Sequence, residues 1–150
     1  MKKTAKYTDR GADLYKMLVE EPGQAYTPQG FDLIQLSRKG IIKKYLLELA
    51  KKLSFTMQEL ARVLHISERT LQRYRQEDVL APGASERALL LTQLYRRGVG
   101  VLGSADNFKD WLRTPLPAFQ QEAPITFLDT AFGFELISDE LGRIEHGVFA

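Results

Sequence analysis

Apolar residues along this chain recur at helical spacing, and no segment keeps the strict alternation of a half-buried strand. The clearest stripe predicts a helix over 41–53, and it consists of Ile41, Ile42, Tyr45, Leu46, Leu49, Ala50 and Leu53. Similar spacing predicts further helices over 9–20, 85–97, 107–113, 125–132 and 135–145. The pattern therefore predicts an all-α protein.

Serine, proline and glycine suggest where the later helices begin and end. Ser85 is expected to cap the helix over 85–97, which a group of glycines then ends: Gly98, Gly100 and Gly103. Gly133 is expected to close the helix over 125–132. The large apolar residues of this half are expected to pack in the core, and they are Phe108, Trp111, Leu112, Ile125, Leu128, Phe132 and Ile137.

Two short helix signatures stand head to tail in the middle of the chain. Thr56 and Glu59 form a capping-box pattern for the first, and Ser67 can cap the second after a tight turn. In the second helix Leu71 and Tyr74 are expected to face inward, while the outward face carries Arg69, Gln72, Arg73, Arg75 and Gln76. The arrangement predicts a helix-turn-helix, whose second helix can enter the major groove of DNA.

His65 lies in the tight turn, where this motif usually carries a glycine in the left-handed conformation. Histidine is enriched among the non-glycine residues that adopt positive φ. We therefore interpret His65 as part of the turn and not as a base or a ligand. The other histidine, His146, lies far away in sequence and the chain has no cysteine, so no metal site is predicted.

Basic residues are concentrated around the motif. Residues 36–75 contain ten lysines and arginines against three glutamates, a net charge of +7 in a chain whose total is +2. A basic surface around a recognition helix is typical of phosphate binding, although a solvated charged face is the simpler alternative. We predict DNA contacts from Ser67, Arg69, Thr70, Gln72, Arg73, Arg75, Lys51 and Lys52. Ser67 and Thr70 can serve the helix cap and a phosphate together.

The composition narrows the class of protein. The absence of cysteine fits a reducing cytoplasm, and there is no run of about 18 apolar residues to span a membrane. No nucleophile, base and orienting group stand at an informative spacing, and the glycines at 98, 100 and 103 follow a predicted helix, the wrong context for a dinucleotide fingerprint. We predict a cytoplasmic protein that is not an enzyme, without catalytic residues, a cofactor or a membrane anchor.

The order of several motifs carries a family resemblance. After R-K-G-I and the helix-turn-helix come S-E-R-A-L-L-L, F-K-D-W-L-R-T-P, P-I-T-F-L-D-T-A-F-G and L-G-R-I-E-H-G-V-F-A. Over residues 36–150 this order resembles the Xre/MbcA/ParS antitoxins. The helix-turn-helix is shared with many regulators, whereas the carboxy-terminal series is the specific part.

The resemblance implies a type II antitoxin whose partner is a RES-domain toxin. Such toxins have a fold related to ADP-ribosyltransferases and act on NAD, and the antitoxin covers the active site with its carboxy-terminal part. The antitoxin also binds the promoter of its own operon. Between Pro117 and Pro124 the family commonly has a Gly-rich connection, from which this chain departs with A-F-Q-Q-E-A.

The carboxy terminus is the expected toxin-binding segment. Arg143 and Glu145 supply charge, Gly147 flexibility and Phe149 an apolar anchor, a combination that suits insertion into a partner. The predicted toxin-binding residues are Arg143, Glu145, His146, Gly147, Val148, Phe149 and Ala150. Without the resemblance, a frayed terminus with no function is the simpler interpretation.

We expect a helix-turn-helix unit packed on a small helical toxin-binding domain. The expected parts are a poorly readable segment over 1–36, the DNA-binding unit over 37–83 and the toxin-binding domain over 84–150. Because one helix-turn-helix covers one half-site, we predict a homodimer on double-stranded promoter DNA, with interface candidates Leu90, Tyr95, Val99 and Val101. The alternatives are a stand-alone helix-turn-helix repressor and a small enzyme.

Overall fold

The structure is a computed structural model that describes residues 14–23 and 30–147, and this part of the chain is helical. Its α-helices are α1 (residues 14–20), α2 (Gly30–Lys39), α3 (Lys43–Lys52), α4 (Met57–Leu64), α5 (Glu68–Arg73), α6 (Pro82–Leu102), α7 (Ala105–Leu112) and α8 (Ala131–Glu145). Two short 3-10 helices, η1 (Pro117–Phe119) and η2 (Pro124–Phe127), connect α7 to α8. The all-α prediction is confirmed. The first five residues of the predicted helix over 9–20 lie outside the described part.

Helix α6 lies at the centre of the molecule, because α2, α4, α7 and α8 all pack against it. Helix α1 is also tied to it, since the buried hydroxyl of Thr92 hydrogen-bonds that of Tyr15 at 3.0 Å and Arg96 donates to the carbonyls of Leu18 and Glu21. The amino-terminal segment, for which the sequence predicted little beyond one short helix, therefore contributes Tyr15, Leu18 and Val19 to the core.

The predicted capping role of Ser85 is wrong. Helix α6 begins three residues earlier, with Pro82 in its first turn, so Ser85 lies inside the helix and is fully buried. Its Oγ accepts the N–H of Ile41 at 2.9 Å and donates to the carbonyl of Leu80 at 3.0 Å. The hydroxyl thus joins α6 to the segment ahead of α3.

Of the three glycines predicted to end this helix, Gly103 does so, whereas Gly98 and Gly100 lie inside it. Helix α6 continues to Leu102 and ends at Gly103, whose φ of 97° is left-handed. Gly98 is buried because the ring of Phe108 lies against it, where a Cβ would collide with that ring. Gly98 therefore sets the close packing of α7 on α6.

The predicted helix over 125–132 is also wrong. Its first half is the 3-10 helix η2, and α8 begins at Ala131 with Thr130 as its cap. Gly133 belongs to the first turn of α8, where a Cβ would collide with the carbonyl of Phe127. Phe132, in the first turn of α8, is 83% exposed and therefore not in the core, contrary to the prediction.

The other large apolar residues of this half pack as predicted. Phe108, Leu112, Leu128 and Ile137 are buried, and Ile125 packs against them while partly exposed. Trp111 is half-buried between two rings, 6.3 Å from the centroid of Phe108 and 6.1 Å from that of Phe119. Tyr95, a predicted interface residue, is 1% exposed and packs in this core instead.

The connection from 118 to 123 turns tightly without glycine. Gln120 and Gln121 both have positive φ, 56° and 65°, and across the turn the N–H of Leu116 donates to the carbonyl of Glu122 at 3.2 Å. Left-handed backbone is where glycine is favoured, so the two glutamines carry strain that a Gly-rich connection would avoid.

Candidate nucleic-acid interface and carboxy-terminal surface

The turn between α4 and α5 has the predicted helix-turn-helix geometry. Thr56 Oγ1 accepts the N–H of Glu59, whose carboxylate accepts the N–H of Thr56 in return, so the capping box is complete. His65 ends α4 with φ 56° and ψ 39°, the left-handed conformation expected of it. The local reading of this motif is confirmed.

Helix α5, the candidate recognition helix, is shorter than predicted. It ends at Arg73, and Tyr74 has ψ of 132°, so Arg75 and Gln76 lie beyond the helix. The N–H of Arg75 donates to the carboxylate of Asp78 at 2.7 Å, which closes a turn immediately after the helix. Tyr74 is half-buried and its hydroxyl accepts the N–H of Ala81 at 3.2 Å.

The polar residues predicted to contact DNA are all exposed along α5 and the residues that flank it: Ser67, Arg69, Thr70, Gln72, Arg73 and Arg75. Leu71 alone among the residues of α5 is buried, and it anchors the helix on the core. Ser67 Oγ accepts the N–H of Thr70 at 2.9 Å and donates to the hydroxyl of Thr70 at 2.8 Å. Both hydroxyls thus serve the cap while they remain open to solvent.

The lysines of α3 do not form one uniform basic face. Lys51 is exposed, whereas Lys52 is half-buried and donates to the carbonyl of Val19 at 3.2 Å. Lys43 is buried and donates to two carbonyls of the α5 region. Sequence reasoning missed both structural roles, because a lysine within a basic run carries no local sign that it folds inward.

Four side chains join the helix-turn-helix to the carboxy-terminal half. His65 hydrogen-bonds the carbonyl of Asp129, and the guanidinium of Arg62 lies 3.8 Å from the Asp129 carboxylate. Arg87 donates to the carbonyl of Val63, and Arg113 donates to the carboxylate of Glu59 at 3.1 Å and to a carbonyl of the preceding turn. We call this set of contacts the seam.

Buried surroundings and hydrogen bonds act in opposite directions on Glu59. Burial by itself would raise the pKa of its carboxyl, but hydrogen bonds from Arg113 and Thr56 and the positive charge of Arg113 outweigh it. The pKa of Glu59 is therefore below its ordinary value. The same carboxylate serves the capping box and the seam.

The carboxy-terminal residues lie at the exposed end of α8. Arg143 pairs with Glu140 at 2.7 Å one turn back, and Glu145 lies 3.9 Å from Arg97 of α6. His146 ends the helix, and Gly147 follows with a left-handed φ of 68°. Three predicted toxin-binding residues, Val148, Phe149 and Ala150, lie outside the described part of the chain.

A groove of about 660 Å³ runs between α6 and α8. Its walls include Leu90, Leu94 and Arg97 from α6 and Phe134 and Ser138 from α8. Directly after two of its lining residues, Ala131 and Glu135, α8 exposes two large apolar side chains one turn apart, Phe132 and Leu136, which are 83% and 40% exposed. Exposed apolar side chains on a helix beside a groove are typical of a protein interaction site.

Comparison with known proteins decides the family. Residues 32–92 match the model of the antitoxin Xre-like helix-turn-helix domain, and residues 97–147 match that of the antitoxin Xre/MbcA/ParS C-terminal toxin-binding domain. The chain belongs to the Xre/MbcA/ParS antitoxins. The first match begins within α2 and ends in the middle of α6, and the second contains the end of α6, α7 and α8, so α6 is the helix that links the two antitoxin domains.

One curated relative is the protein Antitoxin Xre of Yersinia enterocolitica serotype O:8. It is 33% identical to this chain over 95 residues, which are 61% of this chain and 64% of the relative. The chain thus matches just under two thirds of the relative's length. Within the described part of this antitoxin, no helix combines the length and the apolar character needed to cross a membrane.

Proposed function

We propose that this antitoxin neutralises a RES-domain toxin that degrades NAD, by covering the toxin's active site, and that it represses its own operon by binding promoter DNA. It acts by binding and not as an enzyme. The observation that carries the proposal is the linkage of an exposed recognition helix and a carboxy-terminal interaction surface through α6. Both surfaces stay accessible in one chain.

Toxin binding is supported by the surface that α8 presents. Phe132 and Leu136 offer an apolar patch next to the groove, and Arg143 offers a charge further along the same helix. Apolar anchors surrounded by charged groups are the usual composition of an energetic centre in an interface. We infer that the groove and patch dock the toxin, while residues 143–150 enter its NAD site.

The direct test is the consumption of NAD by the purified cognate toxin, titrated with the full antitoxin and with a chain that lacks residues 143–150. We expect both chains to co-purify with the toxin, because docking uses the larger surface, but only the full chain to inhibit strongly. Equal inhibition by both chains would show that the terminal residues are dispensable. If the toxin binds neither chain while both bind the promoter, the alternative of a stand-alone repressor replaces the antitoxin proposal.

Promoter binding is supported by the exposed side chains of α5. An arginine that contacts guanine through two hydrogen bonds contributes base discrimination, whereas a lysine at a phosphate contributes affinity with little sequence preference. We expect Arg73→Ala to weaken promoter binding at least about tenfold and Lys51→Ala to weaken all DNA binding modestly, with a flatter salt dependence. Unchanged affinity and footprint in both variants would exclude α5 as the recognition helix.

A homodimer is proposed for promoter binding, because palindromic operators are read by two related recognition helices. Since Tyr95 is buried, the interface has to use other residues. Two exposed aromatics, Phe31 of α2 and Phe132 of α8, are 84% and 83% exposed. The molar mass of Phe31→Asp and of Phe132→Asp, measured by light scattering with and without promoter DNA, shows whether the dimer uses the face of α2 or that of α8. A wild-type chain that is monomeric under all these conditions would exclude the dimer.

A further inference from the structure

Lys43, the first residue of α3, is a charged side chain placed inside the protein. Only 6% of its surface is exposed, and it is the only charged residue buried to this extent among those that the structure describes. Moving an ammonium group out of water is costly unless hydrogen bonds replace the lost hydration. The partners of Lys43 therefore indicate what the burial achieves.

The ammonium of Lys43 hydrogen-bonds to the α5 region. Lys43 Nζ donates to the carbonyl of Leu71 at 2.8 Å and to that of Tyr74 at 2.7 Å. These carbonyls lie in the last turn and at the end of α5, where a helix has acceptors without intrahelical donors and a partial negative charge. Lys43 thus acts as a carboxy-terminal cap supplied from another helix.

The main chain around Lys43 holds the segment that follows α5. The N–H of Lys43 donates to the carbonyl of Asp78 at 3.0 Å, and that of Lys44 donates to the carbonyl of Gln76 at 2.8 Å. Helix α3 has no side-chain cap of its own, so these two carbonyls satisfy its first donors. The start of α3 and the end of α5 therefore satisfy each other's free groups.

Helix α5 needs such support because it has only six residues. A helix this short is unstable by itself in water, and its conformation depends on its caps and on packing. Ser67 caps its start and Leu71 anchors its middle, while Lys43 secures its end. The direction in which Arg69 and Arg73 project depends on all three supports.

We propose that Lys43 is a positioning residue for operator recognition, which orients α5 through the carbonyls of Leu71 and Tyr74 and does not itself contact DNA. The inference rests on the proposed promoter binding. The buried ammonium of Lys43 hydrogen-bonds to the protein's own carbonyls, whereas Lys44, one residue later, is exposed. Lys43 therefore contributes selectivity, and not the salt-dependent affinity that a lysine at a phosphate provides.

The test compares Lys43→Met with Lys44→Met, which remove the same charge from adjacent positions. For each variant, affinity is measured for the promoter fragment and for a scrambled duplex over a range of salt concentrations. We expect Lys43→Met to lower promoter affinity about tenfold with little change on the scrambled duplex and an unchanged salt slope. We expect Lys44→Met to lower both affinities together and to flatten the slope.

Three results separate the possible failures. If the wild type does not prefer its promoter over the scrambled duplex, the proposed promoter binding is wrong. If the wild type prefers its promoter and Lys43→Met keeps the same preference, the positioning role of Lys43 is wrong. A parallel loss on both duplexes with a flatter slope would make Lys43 a phosphate contact and also overturn the proposal. A merely stabilising role would lower the melting temperature and leave the promoter preference of the folded variant unchanged.

A measurement on the wild type decides the case where Lys43→Met does not fold. In the promoter complex, the ¹⁵N resonance of the Lys43 ammonium is tested for couplings across hydrogen bonds. We expect couplings to the carbonyl carbons of Leu71 and Tyr74, as in the free protein. Coupling to ³¹P of the DNA backbone instead would overturn the proposal.

Discussion

His65 Nε2 donates a hydrogen bond to the main-chain carbonyl of Asp129 and so links the turn of the helix-turn-helix to the residues directly before α8. The same histidine has left-handed backbone, which ends α4. Because a carbonyl can only accept, the bond requires a proton on Nε2. One residue therefore serves both the turn and the seam.

We predict that the two roles of His65 separate in two substitutions. His65→Ala keeps the left-handed strain and loses the hydrogen bond, and it should lower the free energy of unfolding by about 1 kcal/mol. His65→Gly also loses the bond but relieves the strain, so it should be more stable than the alanine variant by about 1 kcal/mol. Urea denaturation measures both; equal stability of the two variants would mean that the backbone at this position carries no strain.

Glu59 should make stability depend on acid pH. Because its pKa is lowered on folding, the carboxylate stabilises the fold fully above its unfolded pKa, and this contribution disappears as the pH falls through the folded value. We expect Glu59→Gln to be less stable than the wild type at pH 7, with the difference shrinking as the pH falls below the ordinary pKa of a glutamate. Chemical denaturation across this range checks the prediction.

Arg113 provides the control for this pH dependence. In an Arg113→Met background the cation that lowers the pKa of Glu59 is absent. At neutral pH, Glu59→Gln should therefore lower the free energy of unfolding by less in this background than in the wild type. If Glu59→Gln costs the same in both backgrounds, the capping box and not the seam would account for the whole effect.

Gly98 and Gly100 should respond oppositely to the same substitution. A methyl group at Gly98 would collide with the ring of Phe108, so Gly98→Ala should destabilise the protein by about 1–3 kcal/mol. Nothing lies within 4 Å of a Cβ at Gly100, where alanine is the better helix former and should stabilise by about 0.5–1 kcal/mol. Thermal unfolding compares them, and a stabilising Gly98→Ala would contradict the close packing of α7.

Arg143 should contribute to toxin inhibition through its charge and not through its ion pair. Arg143→Ala and Glu140→Gln both remove the ion pair between these two residues on α8, which is worth only about 0.2–0.5 kcal/mol of helix stability. We expect the first variant to need about tenfold more antitoxin for half-inhibition of NAD consumption, and the second to inhibit like the wild type. Similar losses in both variants would assign the effect to helix stability.

The local design of the helix-turn-helix was determined by sequence alone. Thr56 with Glu59 and Ser67 with Thr70 interact across three residues, and His65 sets its own backbone. Interactions of this range are formed by neighbours in the chain, so residue type and spacing predict them. The order of motifs in the carboxy-terminal half was equally readable, and it indicated the family that the comparisons then established.

Only the tertiary structure shows which groups hydrogen-bond to each other when their residues are far apart in the sequence. Lys43 meets carbonyls 28 and 31 residues away, Ser85 meets an N–H 44 residues away, and His65 meets a carbonyl 64 residues away. In sequence, Lys43 was one member of a basic cluster, Ser85 a predicted helix cap and His65 part of a turn. The groups that form these hydrogen bonds come together only when the other helices pack around α6. A hydrogen bond between distant residues depends on their positions in space and leaves no periodic pattern along the chain.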